Sequence, residues 1–156
     1  MKLLAIVGTI ASKSYNRELL TYMQTKFSDK VEIDVAEIKD IPLFDEPEHG
    51  QKLPQAIQIL NDKIQNADGV IIGVPEYDHA VPAALKSVLE WLSYDVHPFE
   101  NKPVMIVGTS LGIQGTSRAQ SDLRTILNAP GVDAITLPGN EFMLSFAPNA
   151  FNAQGE

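Results

Sequence analysis

Gly8–Asn16 has the sequence Gly-Thr-Ile-Ala-Ser-Lys-Ser-Tyr-Asn and joins an apolar run to a helical pattern. The run before it, Leu3–Val7, is apolar at every position, which is typical of a parallel strand that is buried on both faces. The stretch itself offers backbone N–H groups, small hydroxyl side chains and the positive end of a helix dipole, a combination that suits a phosphate. It matches neither the dinucleotide fingerprint nor the P-loop, so a phosphate site and an ordinary capped turn both remain open.

Composition and charge narrow the class of protein. The chain has 156 residues, no cysteine and a formal net charge of −8. We expect a single domain, residues 1–156, with no disulfide, no thiolate nucleophile and no thiolate metal site. The acidic balance argues against nucleic acid as a partner, although a local cluster of N–H groups still accommodates one small anion. No apolar run is long enough for a signal peptide or a membrane span, so we expect a cytoplasmic protein without a membrane partner.

Apolar runs alternate with helical stripes along the rest of the chain. Strands are predicted at Leu3–Val7, Val31–Val35, Val70–Val74, Val104–Val107 and Val132–Leu137, and helical stripes at 19–27, 53–66, 85–92 and 119–127. Continuous apolar strands between helices indicate a parallel sheet with helices on both faces, an α/β three-layer sandwich. Five strands with right-handed crossovers favour the order 2-1-3-4-5, which binds its ligand at the carboxyl ends of strands one and three.

Three loops follow strands one, three and four. They are loop one (Gly8–Asn16), loop two (Pro75–Pro82) and loop three (Thr109–Gly115). Because the carboxyl ends of parallel strands meet at one edge of a sheet, we expect the three loops to lie together and to enclose a ligand.

Loops two and three have compositions that suit a flat ligand. Tyr77 lies in loop two between two prolines, and a rigid loop with an aromatic ring favours stacking on a planar group. In loop three, Gly112 and Gly115 allow the backbone to approach a ring closely. Two simpler interpretations remain open. In one, Tyr77 only covers the edge of the core; in the other, loop three is a flexible connection capped by Thr116.

The residues in and around these loops form three distinct motifs, which together extend over nearly the whole chain. They are Gly8, Thr9, Ser14 and Asn16 in loop one; Pro75, Glu76, Tyr77 and Pro82 in loop two, with Leu85 and Lys86 after it; and Lys102, Pro103, Val107, Gly108, Ser110, Gly112, Gly115, Arg118, Ala119 and Gln120 around loop three. This pattern resembles the NAD(P)H-dependent FMN reductases, a family of flavodoxin-like flavoproteins that includes quinone, azo-dye and chromate reductases.

The resemblance implies a flavodoxin-like fold, bound FMN and a two-step cycle. In that cycle NADPH or NADH gives a hydride to the flavin, and a small acceptor then takes the electrons, while no side chain has to act as a catalytic acid or base. It also implies a homodimer or homotetramer. The cofactor-binding residues carried over from the family are Gly8, Thr9, Ala11, Ser14, Tyr15 and Asn16 for the phosphate, and Pro75, Glu76, Tyr77, Asp78, Ser110, Leu111, Gly112 and Gly115 for the ring.

The acceptor or nucleotide side of the site is predicted at Tyr77, His79 and Arg118. A cation in the first turn of a helix opposes the helix dipole, which suggests that Arg118 meets the phosphate of the pyridine nucleotide. A surface or subunit-interface ion pair explains Arg118 equally well. Glu76 is expected to contribute its backbone rather than a catalytic carboxylate.

The sequence departs from the family pattern at three places. Ala11 stands where the family has arginine, which removes a bidentate phosphate contact that Lys13 replaces only as a point charge. Asp78 stands where the family has asparagine, and its negative charge should lower the flavin potential unless a protonated His79 offsets it. The family's last helix would begin near Phe151, so we expect it to be missing from a cut chain, or that face of the sheet to be covered in another way.

Other functions remain open beside the reductase. The main alternative is a flavodoxin-like electron carrier, or an FMN-binding module without its own NAD(P)H turnover. His49 and His97 are isolated, so we expect no metal site. Trp91 belongs either to the core or to a subunit contact.

Overall fold

The computed structural model describes residues 1–48, 51–139, 141–152 and 155. Within these ranges the chain forms six strands and five helices. The strands are β1 (Lys2–Val7), β2 (Glu32–Ala36), β3 (Gly69–Gly73), β4 (Pro103–Thr109), β5 (Ile135–Thr136) and β6 (Phe142–Leu144). The helices are α1 (Tyr15–Lys26), α2 (Gln55–Gln65), α3 (Ala83–Tyr94), α4 (Ser117–Leu127) and α5 (Ala147–Ala150). No helix in the described ranges has the length and hydropathy needed to cross a membrane.

All strands pair in parallel, in the order β2-β1-β3-β4-β5. This order confirms the predicted flavodoxin-like α/β fold. The central strands are buried on both sides, which explains why their sequences are apolar at consecutive positions instead of every second one. In β1, Leu4 and Ile6 pack into one core cluster, whereas Ala5 and Val7 pack into another.

The two core clusters give the sandwich its three layers. The larger cluster joins the sheet to α2, α3 and α4, and the smaller one joins it to α1 through Leu19 and Leu20. Trp91 of α3 is 5% exposed, lies in the larger cluster and donates a hydrogen bond from Nε1 to Pro42 O at 3.0 Å. Trp91 was predicted to belong either to the core or to a subunit contact, and the structure places it in the core.

The predicted fifth strand was only partly right. The structure keeps two of its residues, as β5 opposite the start of β4, and the chain then leaves the sheet. It returns as β6, which was not predicted and which pairs with β4 from Val107 to Thr109. The edge of the sheet is therefore built from two short pieces, because residues 137–139 form no strand between them. The local pattern contains no run long enough to predict two strands.

The segment after β6 covers part of the smaller core cluster. It contains α5, a helix of four residues that was not predicted. Phe151, where the family's last helix was expected to begin, is in extended conformation and packs against this cluster. Its ring stacks on Tyr15 of loop one with a centroid distance of 6.0 Å.

Candidate active site

Side-chain hydrogen bonds fasten the three loops together at the carboxyl edge of the sheet. The hydroxyls of Thr9 and Tyr77 lie 3.1 Å apart and join loop one to loop two. Asn16 Nδ2 donates to Thr109 O at 3.0 Å, and Thr109 N donates to Asn16 Oδ1 at 3.0 Å, which joins loop one to loop three. The loops that the sequence predicted to meet therefore do meet.

Loop one leaves backbone donors open at the start of α1. Ser14 is the N-cap of this helix, and its Oγ accepts a hydrogen bond from Arg17 N at 3.3 Å. In the part of the chain that the structure describes, the N–H groups of Ser12, Lys13 and Tyr15 have no protein acceptor. Open N–H groups at a helix N-terminus form an anion site, because they and the helix dipole attract negative charge.

Loop one passes so close to β3 that position 8 requires glycine. Gly8 N donates to Gly73 O at 2.8 Å, and a Cβ at position 8 would lie 2.6 Å from the same oxygen. The next residue, Thr9, is buried, and its Oγ1 accepts a hydrogen bond from Ala11 N at 3.1 Å. These contacts fix the path of loop one.

Arg17 braces loop one from α1, a role that its sequence context did not predict. Its Nη1 donates to Ser12 O at 3.2 Å, while Nε and Nη2 form a fork with the carboxylate of Glu37 after β2. The hydrogen bonds with Arg17 lower the pKa of Glu37, and the same bonds raise the pKa of Arg17. The Arg17 guanidinium is therefore already paired, and it acts on the loop through Ser12.

Loop two ends in a tight turn. Tyr77 N donates to Ala80 O at 3.2 Å, and Ala80 N donates to Tyr77 O at 3.0 Å. Asp78 and His79 hold the two central positions with φ of 50° and 65°, and positive φ at both positions is the mark of a type I′ turn. Tyr77, Asp78 and His79 are all exposed, so the turn presents their side chains to solvent.

Glu76 connects loop two to the N-terminus of α4. Its Oε2 accepts hydrogen bonds from Arg118 N at 2.9 Å and from Ala119 N at 3.2 Å. Its Oε1 lies 3.5 Å from Arg118 Nη1, and the Glu76 side chain is only 11% exposed. The expectation that Glu76 offers only its backbone was therefore incomplete, because the carboxylate caps a helix. Arg118 was predicted either to meet the nucleotide phosphate or to form an ion pair, and in this structure it pairs with Glu76.

A second carboxylate links loop two to α4, but here α4 supplies the carboxylate and loop two supplies the N–H donor. Asp122 of α4 accepts a hydrogen bond from Val81 N at 3.1 Å through Oδ2. The turn of loop two is thus fastened to α4 on both sides, by the Glu76 carboxylate before it and by the hydrogen bond from Val81 N to Asp122 after it. Asp122 was not predicted as part of the site, since a single exposed acid on a helix carries no motif.

Loop three is closed on itself by Ser110. The Ser110 hydroxyl accepts a hydrogen bond from Gly115 N at 3.1 Å. It donates one to Gly112 O at 3.2 Å. Gly115 is buried with φ of 57°, and a Cβ there would lie 2.8 Å from Met143 Cβ. This glycine serves the turn and the packing against β6, and its predicted approach to a ring stays a prediction.

The outer part of loop three is open and apolar. Leu111 and Ile113 are 68% and 70% exposed. A Cβ at Gly112 would have no heavy atom within 4 Å, while Gly112 O accepts a hydrogen bond from Phe146 N at 3.2 Å. The backbone at Gly112 is thus held in place and still accessible to a planar group.

These features fit a phosphorylated planar cofactor such as FMN. Loop one supplies open N–H donors for a phosphate, and the exposed ring of Tyr77 and the open backbone at Gly112 suit a flat ring system. Thr9 and Asn16 are exceptions among the predicted phosphate ligands, because both side chains are buried and bonded within the protein. Thr9 is 2% exposed, and its hydroxyl accepts a hydrogen bond from Ala11 N and lies 3.1 Å from the Tyr77 hydroxyl. Asn16 is 3% exposed and its amide group pairs with Thr109, so both residues shape the loops.

The histidines do not suggest a metal site. His97 Nδ1 lies 2.7 Å from Gly131 O, which is outside the three loops, and His49 lies outside the described residues. Among the described side chains, no group of three or more potential ligands is arranged for a metal ion.

Comparison with known proteins agrees with this geometry. The family model described as NADPH-dependent FMN reductase matches residues 1–149. The NADH:(hydroxy)cinnamate reductase subunit CrdA of Vibrio ruber is 49% identical over 156 residues, which are all of this chain and 77% of that protein. The NADH-dependent flavin reductase subunit 2 of Lactobacillus johnsonii is 45% identical over 97% of this chain and 83% of its own length.

A solved structure extends the similarity to three dimensions. FerB of Paracoccus denitrificans, a flavoenzyme NAD(P)H:(acceptor) oxidoreductase, superimposes with a TM-score of 0.87 at 25% identity. The match covers 99% of this chain and 85% of FerB.

Proposed function

The chain belongs to the NADPH-dependent FMN reductase family, and from that premise we propose that its fastened loops form the working site of an NAD(P)H-dependent flavin or quinone reductase. Bound FMN supplies the redox chemistry, which takes a hydride from NAD(P)H and passes electrons to a small acceptor. The single observation that carries the proposal is the joining of loops one, two and three by the Thr9–Tyr77 and Asn16–Thr109 hydrogen bonds.

The phosphate is proposed to bind at the start of α1. The open N–H groups there face a phosphate with the aid of the helix dipole, and Ser14 holds the first turn in place. Gly8 and Thr9 shape the path of the loop. Arg17 keeps Ser12 oriented through its carbonyl, so a cation supports the loop even though Ala11 replaces the family's arginine.

The ring is proposed to bind between loop two and loop three. Backbone groups from Pro75 to Asp78 and from Ser110 to Gly112 hydrogen-bond to its edge, and Tyr77 packs against it. These residues hold and orient the ring, and no side chain is required to transfer a proton. His79 and Arg118 are proposed to lie on the side from which the nucleotide and acceptor approach.

The test follows the flavin spectrum. The purified protein is saturated with FMN, freed of oxygen, and mixed with NADH or NADPH. Bleaching of the flavin absorption near its visible maximum, followed by recovery on adding a quinone, supports the reductase. A bound flavin that neither nucleotide reduces would leave only the electron carrier or FMN-binding module. Failure of the protein to bind FMN would refute all three.

Assembly and location are further proposals. We propose a homodimer or homotetramer, supported by the large exposed apolar side chains around loop three. Two relatives are named as subunits, so the competing outcome is a complex of this chain with a different chain. Light scattering of the purified chain during size exclusion decides, and a monomer contradicts the homo-oligomer. A cytoplasmic location, where NAD(P)H is made, is tested by cell fractionation.

A further inference from the structure

The N-terminus of α4 lacks a cap from its own sequence. Thr116 occupies the N-cap position with φ of 77° and makes no side-chain capping bond. Its Oγ1 instead lies 3.2 Å from Gln120 Nε2, from which it accepts. Ser117 N donates to Gln114 O at 3.1 Å, but the N–H groups of Arg118 and Ala119 need an acceptor from elsewhere. The Glu76 carboxylate is that acceptor, since Arg118 N and Ala119 N both donate to Oε2.

This cap also fixes loop two. Glu76 immediately precedes Tyr77 and Asp78, whose backbone groups are proposed to meet the ring. The carboxylate is nearly buried and held by two N–H groups and a guanidinium, so the peptide that follows it has little freedom. Asp122 restrains the other side of the turn through Val81 N.

We propose that Glu76 is a positioning residue, which sets the backbone of loop two for the flavin ring by anchoring that loop to α4. This inference rests on the proposed function, because it concerns the ring site of the same enzyme. Glu76 acts through the backbone of Tyr77 and Asp78 and exchanges no proton with the substrate.

The charge of Glu76 has a second effect, through Arg118. The two groups lie 3.5 Å apart and offset each other's field near loop two. If Glu76 becomes a neutral glutamine, Arg118 is left as an uncompensated cation beside the site. A more positive field favours the flavin after it has gained electrons, so the reduction potential should rise.

Two variants separate the anchor from the charge. Glu76→Gln keeps an oxygen acceptor for Arg118 N and Ala119 N but removes the charge, whereas Glu76→Ala removes both. The matched control is Asp68→Ala. Asp68 Oδ2 also accepts a backbone N–H, from Lys2 at 2.7 Å, but at the opposite end of β1 from loop one.

The first measurement needs no flavin. Amide hydrogen exchange of the flavin-free proteins is followed over residues 77–81 and 117–120. We expect at least about tenfold faster exchange in Glu76→Ala, a change of less than about threefold in Glu76→Gln, and no change there in Asp68→Ala. If Glu76→Ala exchanges at the same rate as the parent, Glu76 does not anchor loop two to α4.

The second set of measurements uses FMN titration and the midpoint potential of the bound flavin. We expect Glu76→Ala to bind FMN at least about tenfold more weakly, and Glu76→Gln to stay within about threefold of the parent but with a raised potential. Asp68→Ala should match the parent in both. Equal affinity in Glu76→Ala and the parent overturns the positioning role. If the parent itself binds no FMN, the proposed function falls together with that role, while hydrogen exchange still decides whether Glu76 anchors α4.

Discussion

The hydroxyl of Tyr77 lies 3.1 Å from Oγ1 of Thr9, although 68 positions separate the two residues in the chain. Thr9 is buried in the loop after β1, whereas Tyr77 is half exposed in the loop after β3. The bond therefore spans the two loops at the point where a doubly wound sheet binds its ligand. It orients the Tyr77 ring, which remains half exposed.

The hydroxyl and the ring of Tyr77 should contribute differently to flavin binding. Tyr77→Phe loses the bond to Thr9 but keeps the aromatic face, so we expect FMN affinity to change by less than about threefold. Tyr77→Ala also loses the packing of an aromatic pair, about 0.5–1.5 kcal/mol, and should bind FMN up to about tenfold more weakly. Fluorescence titration measures both. Equal losses in the two variants would show that the hydroxyl, not the ring, is what matters.

Restoring the family's arginine at position 11 should strengthen the phosphate site. Ala11→Arg adds a charge-assisted contact, for which about 1.5–3 kcal/mol is typical, so we expect FMN affinity to rise about tenfold or more. Ala11→Met is the control of similar length without charge. Riboflavin, which lacks the phosphate, is the control ligand, and its affinity should stay unchanged in Ala11→Arg. An equal gain for riboflavin would mean that the phosphate does not bind at loop one.

The sheet was predictable from the sequence because both faces of its central strands are buried. Short, continuous apolar runs such as Leu3–Val7 and Val70–Val74 are typical of such strands, and parallel topology then places the following loops at one edge. The short edge pieces β5 and β6 escaped this reasoning. At an edge, two or three residues pair with β4 without needing an apolar run.

The supports of the site were harder to predict than its loops. Glu76 was recognised as part of a motif, but its partner lies 42 positions away, and only the fold shows that α4 lacks its own cap. Arg17 likewise reaches Glu37 across 20 positions. Tertiary hydrogen bonds of this kind leave no local period or spacing in a sequence, whereas strand–loop–helix junctions do.

Asp78 should tune the flavin potential. Asparagine and aspartate both tolerate the left-handed backbone of this turn, so Asp78→Asn removes a charge without disturbing φ of 50°. Loss of a nearby negative charge should raise the two-electron midpoint potential, by about 30 mV if the interaction is about 1.4 kcal/mol. Asp95→Asn, at the exposed C-cap of α3, is the control and should leave the potential unchanged.

Salt provides a second check on Asp78. Because the side chain is exposed, screening should shrink the difference between Asp78→Asn and the parent as ionic strength rises. A difference that does not depend on salt would point to a changed loop conformation instead of a charge.

The Arg17–Glu37 pair should stabilise the fold at neutral pH and lose that effect in acid. The hydrogen bonds with Arg17 lower the pKa of Glu37 below its ordinary value of about 4.3, so the stabilisation is complete above that value and disappears as the pH falls through the lower folded-state pKa. Both side chains are partly exposed, so we expect Glu37→Gln to lower the free energy of unfolding at pH 7 by up to about 1 kcal/mol. Urea unfolding at several pH values measures this difference.

Glu32→Gln is the matched control for that series. Glu32 lies at the other end of β2 and pairs with Lys2 at 3.6 Å, but its side chain is 69% exposed. An ion pair so exposed contributes little, so the control should stay near the parent at every pH. For Glu37→Gln the difference from the parent should narrow below about pH 4, as the parent's own carboxylate takes up its proton. A difference that persists unchanged in acid would mean that the ionised carboxylate is not what holds Arg17 against Ser12 and loop one.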